Sequence, residues 1–121
     1  MSLVSGIGGV FFRAKDPDGL MKWYIDTFDM KIDDGFWEQA AGNTVFQPFP
    51  ADTTYFRPDK QVMINFRITD MDAMMARLDA AGIAYWDTPE EDEDFGRFIH
   101  LEDPEGNPIE LWQPRPDSAA S

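Results

Sequence analysis

The feature that most constrains this chain is an internal repeat. The stretches VFFRAKDPDGLMKWY (10–24) and MINFRITDMDAMMARL (63–78) each read as a strand that runs into a helix. At a shift of 54 residues Phe12 falls on Phe66, Arg13 on Arg67, Asp16 on Asp70 and Asp18 on Asp72. A second pair of stretches, GNTVFQPFP (42–50) and GNPIELWQP (106–114), opens on the same Gly-Asn and closes on the same Pro, with Phe46 standing where Glu110 stands. Self-similarity of this kind implies two copies of one supersecondary unit.

The local chemistry agrees. Asp16 and Asp70 each stand where an N-cap accepts the orphan amide hydrogens of a first helical turn, and Pro17 fits the first helical position. The spacing predicts helices near 17–28 and 71–81. Leu20, Tyr24 and Phe28 recur every four residues, and Met71, Met74, Met75 and Leu78 give the second helix an apolar core stripe. Three strand-like segments follow each helix, the last being the nonapeptide. The chain is therefore read as α+β, built from two tandem βαβββ modules. Module 1 covers about 6–50 and module 2 about 58–115. Residues 51–57 form a linker within the Pro-, Asp- and Thr-rich PFPADTTYFRPDK (48–60), and 116–121 a flexible tail. At 121 residues this is one domain. The acidic run EEDED (90–94) reads as a solvated loop.

FFRAKDPDGLMKWY, INFRITDMDAMMARLDAAGI and GRFIHLEDPEGNPIELWQP together resemble the vicinal oxygen chelate superfamily of glyoxalases, bleomycin resistance proteins and ring-cleaving dioxygenases. The most specific part is the DPEGN turn between two strands, where Asp, Pro and Gly suit a type I reversal. The resemblance implies that curved, mostly antiparallel sheets of the two βαβββ modules enclose a cavity with four metal-ligand positions, two at the starts of the modules' first strands and two on their last strands. Here those positions hold Gly9, Met63, Phe46 and Glu110. Only Glu110 is a ligand for a hard or borderline cation, because glycine and phenylalanine offer no lone pair and a thioether is soft. No metal and no other cofactor is expected.

Strand alternation selects the residues that face the cavity. Phe11 and Arg13 come from the first strand, Phe46 from the fourth, and Met63, Asn65 and Arg67 from the fifth. Phe98 and Trp112 join them from the last two strands as ligand-binding residues. His100 and Glu110 are the candidate acid/base pair, His100 being the sole histidine. An arginine pair related by the repeat suits an anionic or carbonyl oxygen on an aromatic ligand.

The formal net charge of −13 repels phosphate backbones and anionic lipids, so neither nucleic acid nor membrane is an expected partner. The absence of cysteine excludes disulfides and fits a reducing cytoplasm. The leading expectation is a metal-independent small-molecule-binding protein that forms a homodimer. The alternative is a metal-free lyase, isomerase or hydrolase using His100 and Glu110. A divalent-metal glyoxalase or dioxygenase ranks last.

Overall fold

The computed structural model describes residues 3–87 and 95–115. The acidic run 90–94 and the tail 116–121 lie outside the described residues. In chain order the elements are α1 (Pro17–Phe28), β1 (Ile32–Asp33), β2 (Phe36–Trp37), β3 (Ile64–Arg67), α2 (Met71–Ala80), β4 (Trp86–Asp87), β5 (Gly96–Glu102) and β6 (Pro108–Pro114).

Both helices start as the repeat requires. Asp16 accepts from the amide of Gly19 and Asp70 from that of Ala73, each at 3.1 Å. The two caps and their donors keep the 54-residue offset. Helix α2 ends where Gly82 turns into the left-handed region at φ +70, and the Ile83 amide closes the last turn on the Leu78 carbonyl at 3.0 Å.

The second half forms a complete βαβββ unit. Its sheet runs β3-β6-β5-β4, with β3 parallel to β6 and the other pairs antiparallel. One face of that sheet carries Ile99, Leu101, Ile109 and Leu111, all fully buried against Met71 and Leu78 of α2 and Leu20 and Tyr24 of α1. Burying each such side chain contributes about 1.5–3 kcal/mol. This is the core, and both modules supply it.

The first half departs from expectation in its strands. Among the described residues its only ladder is the β1–β2 hairpin. Asp34 and Gly35 turn that hairpin with φ of 51 and 82, the positive angles that a two-residue loop between right-twisted strands requires. Segments 9–14 and 42–50 alternate like strands but carry no ladder in the single chain. The physical reason is that alternation specifies a face, whereas a strand also needs a neighbour for its amides and carbonyls. The order β3-β6-β5-β4 leaves the outer edge of β3 without a paired strand among the described residues, and neither segment pairs with it. Phe11 is 96% exposed and Phe46 85%.

The halves are nonetheless tied together. Glu105 of the DPEGN turn accepts the amides of Lys15 and Asp16 at 2.7 and 3.0 Å, holding the entry to α1. Arg77 of α2 donates to the carbonyls of Thr27 and Asp26 at the end of α1, at 2.9 and 2.8 Å. Both Gly-Asn pairs are engaged by a guanidinium: Arg67 donates to the Asn43 carbonyl at 3.1 Å and Arg57 to the Gly106 carbonyl at 3.0 Å. A Cβ on Gly42 would meet the Arg67 guanidinium at 2.0 Å, and one on Gly106 the Arg57 guanidinium at 2.7 Å. At both positions glycine makes room for the cation.

Candidate functional site

The register of the four-stranded sheet sets up a transverse row on the face opposite the core. Trp86 pairs with His100, His100 with Glu110, and Glu110 with Asn65, so the row crosses all four strands. The next row holds Phe98, Trp112 and Arg67. Alternation puts these side chains on one face because their neighbours Ile99, Leu101, Ile109 and Leu111 occupy the other.

Glu110 is the centre. It is only 6% exposed, and a buried carboxylate is costly unless hydrogen-bonded. Its Oε1 accepts from Asn65 Nδ2 at 2.6 Å. Its Oε2 accepts from the Tyr55 hydroxyl and lies 3.4 Å from His100 Nε2, an ion pair when the imidazole is protonated. The Tyr55 ring meets the His100 ring edge-on at 5.3 Å, and Trp86 stacks on the imidazole at 6.1 Å with an interplanar angle of 15°. Phe98 and Trp112 stack at 6.1 Å, nearly parallel, and the Trp112 indole donates to the Phe95 carbonyl at 2.7 Å.

Asn65, Phe98, His100, Glu110 and Trp112 thus share one face. Met63 stands just before β3, half-buried. Phe11, Arg13 and Phe46 are exposed outside this constellation. Arg67 lies on the face, but its guanidinium is engaged by the carbonyls of Ala40 and Asn43. A groove of about 310 Å³ beside the end of α1 and the start of α2, lined in part by Arg67 and Arg77, lies away from Glu110.

Tyr55 and Trp86 are the residues that sequence reasoning missed. Tyr55 sits in the stretch read as the linker between modules, and the one available signal was the aromatic pair Tyr55-Phe56 in an otherwise polar run. Trp86 begins a strand of only two residues, too short to show alternation.

The four superfamily metal positions do not fit a divalent ion. Gly9 and Phe46 bring no donor, Met63 brings a soft one, and both oxygens of Glu110 already accept from protein donors. Among the described residues no group of three or more His, Cys, Asp or Glu side chains is placed to hold an ion.

One titratable group near the module junction is strongly perturbed. Burial, then the hydrogen bond to Asp103 and that residue's negative charge, push the Tyr24 hydroxyl well above the ordinary tyrosine range.

Known proteins bear on this geometry as follows. The profile of the family described as a Glyoxalase-like domain matches residues 9–112. The structure of TnmS3, an antibiotic binding protein from Streptomyces sp. CB03234, is similar with a TM-score of 0.63 at 24% identity, over 95% of this chain and 100% of that one. A glyoxylase/bleomycin resistance protein/dioxygenase domain from Frankia sp. EAN1pec gives 0.57 at 19% identity, over 93% and 99%. A glyoxalase/bleomycin resistance protein from Streptomyces sp. CB03234 gives 0.51 at 25% identity, over 82% and 92%. No curated protein matches the sequence. The match over residues 9–112 covers both helices, the four-stranded sheet up to Trp112 and the Glu110 row, and the chain belongs to the glyoxalase-like domain family of the vicinal oxygen chelate superfamily.

Proposed function

We propose that this chain is a metal-independent small-molecule-binding protein whose ligand sits on the sheet face centred on Glu110. The observation that carries the reading is the row Trp86–His100–Glu110–Asn65. It combines aromatic surface with one buried, oriented carboxylate, the lining expected of a small-molecule pocket. Phe98 and Trp112 extend the aromatic wall. The residues at the superfamily's metal positions favour a site that works without an ion. TnmS3, which shares the fold, is an antibiotic binding protein, so the architecture is compatible with this use.

The working unit in this reading is a homodimer. Ile7, Val10, Phe11, Phe12, Val45 and Phe46 are all exposed in the single chain, and an apolar surface of this kind is an association site. Segments 9–14 and 42–50 of one protomer then cover the open sheet of its partner. Phe11, Arg13, Phe46 and Met63 join the ligand contacts in the dimer.

A second reading keeps the same residues as acid and base. The Tyr55 hydroxyl and His100 Nε2 both approach Glu110 Oε2, an arrangement able to hold and move a proton without a metal. Native mass spectrometry after incubation with a small-molecule extract separates the two. A ligand retained and released at unchanged mass, and lost in Glu110→Leu, supports binding. A retained species whose mass differs from every molecule supplied supports the acid/base reading.

A further inference from the structure

We propose that the Glu110 site selects ligands carrying an aromatic hydroxyl, and that Tyr55 is the internal occupant that such a ligand replaces. The inference deepens the binding reading above and rests on it.

The argument starts from the carboxylate. Glu110 is buried, so whatever occupies the space beside Oε2 must donate a hydrogen bond or leave that oxygen under-paired at a cost. An anionic group fails, and so does a bare carbonyl. In the structure the donor is a phenol, that of Tyr55. Its ring lies edge-on to His100, on which Trp86 also stacks. The pocket around Oε2 is therefore shaped in place for an aromatic ring with a hydroxyl at its tip.

Tyr55 is also able to yield. It is half-buried, whereas Glu110 and His100 are buried. Its backbone amide donates to the neighbouring Thr53 hydroxyl at 3.2 Å. The loop is anchored two residues on, where Arg57 donates to Glu102 at 3.2 Å and to the Gly106 carbonyl at 3.0 Å. Rotation of the Tyr55 side chain opens the site without releasing that anchor. An incoming phenol restores the hydrogen bond that Tyr55 gives up, so the exchange is close to balanced. A ligand without a donor leaves the carboxylate short, and it binds less well for that reason.

The probes are 2-naphthol and its methyl ether 2-methoxynaphthalene, which differ at this site by one donor. Equilibrium dialysis against the full chain gives both dissociation constants. The expected result is that 2-naphthol binds about 10-fold or more tightly than the ether, the value of one hydrogen bond to a charged acceptor. Tyr55→Phe, which keeps the ring and removes the competing hydroxyl, raises 2-naphthol affinity several-fold. Glu110→Leu abolishes the preference for the naphthol. Glu110→Gln, which keeps the shape and an acceptor oxygen, lowers it and guards against a folding artefact in the leucine variant. Equal affinity for the two probes overturns the phenol selectivity and leaves the binding reading standing. Weaker 2-naphthol binding in Tyr55→Phe overturns the replacement of Tyr55. Failure of both probes to bind wild type and Tyr55→Phe at millimolar concentration overturns the proposal and the binding reading with it.

Discussion

The hydroxyl of Tyr24 donates to Oδ2 of Asp103 at 2.7 Å, in the buried region where α1 meets the DPEGN turn. Asp103 is only 4% exposed. It also accepts the amides of Glu105 and Asn107 at 2.8 and 3.0 Å and the Asn107 side chain at 2.8 Å. One carboxylate thus shapes the turn and fastens the helix to it. Tyr24→Phe should cost about 1–3 kcal/mol and Asp103→Ala more, since the alanine also strips the turn of its acceptor. Urea unfolding with m unchanged tests both.

The same pair sets a behaviour at high pH. The Tyr24 pKa is raised in the folded state, whereas in the unfolded chain it takes the ordinary value near 10. Stability from this group is fully present below about pH 10. Above that the unfolded chain releases a proton that the native one retains, so stability falls as pH rises toward the folded pKa. In a spectrophotometric titration one tyrosine should ionise only as near-ultraviolet dichroism is lost. Tyr24→Phe should remove that late step and flatten the alkaline fall in stability.

At Gly96 the backbone itself forbids a side chain. Its φ is +120, and a Cβ there would meet the Gln113 carbonyl oxygen at 2.1 Å. Gly96→Ala should cost about 2 kcal/mol or more through strain and displacement of β6. The measurement is the thermal midpoint, with Gly82→Ala, which has open space around it, as the milder control.

The proposed dimer has a clear experimental signature. Light scattering at micromolar concentration should give twice the chain mass, and Phe46→Asp should shift the population to monomer. Because each chain carries a net charge of −13, pairing should tighten as salt rises from about 0.01 to 0.15 M, where the screening length falls from about 30 to 8 Å. A monomer at every salt concentration defeats the prediction.

Glu105 predicts a local effect distinct from global unfolding. Glu105→Ala removes the acceptor for the Lys15 and Asp16 amides. Exchange at those two amides should quicken by more than any global destabilisation explains, because fraying at the α1 entry then occurs without unfolding the sheet.

The sequence was most informative where side-chain chemistry acts locally. Asp16 and Asp70 announce their helices because an N-cap works through a contact three residues away. Glu110, His100 and Asn65 could be assigned to one face because alternation along β5, β6 and β3 decides it. Tyr55 could not be found that way, since its place beside Glu110 depends on how a turn-rich segment folds back over the sheet. Arg67 was set on the expected face, but sequence gave no warning that carbonyls of residues 40 and 43 would claim its guanidinium. The segments around Phe11 and Phe46 show the limit of periodicity, which identifies a potential strand without supplying its neighbour.

The turn that Asp103 and Glu105 build has a consequence for the order of events during synthesis. Its contacts with Tyr24 and Lys15 span 79 and 90 residues. On the ribosome, α1 emerges long before the acceptors that seat it exist, and such distant closures are slow to form. Its apolar side, with Leu20 and Tyr24, must wait for nearly the whole chain. In that interval the apolar side of α1 stays uncovered, and it is buried only once the last hairpin has been made.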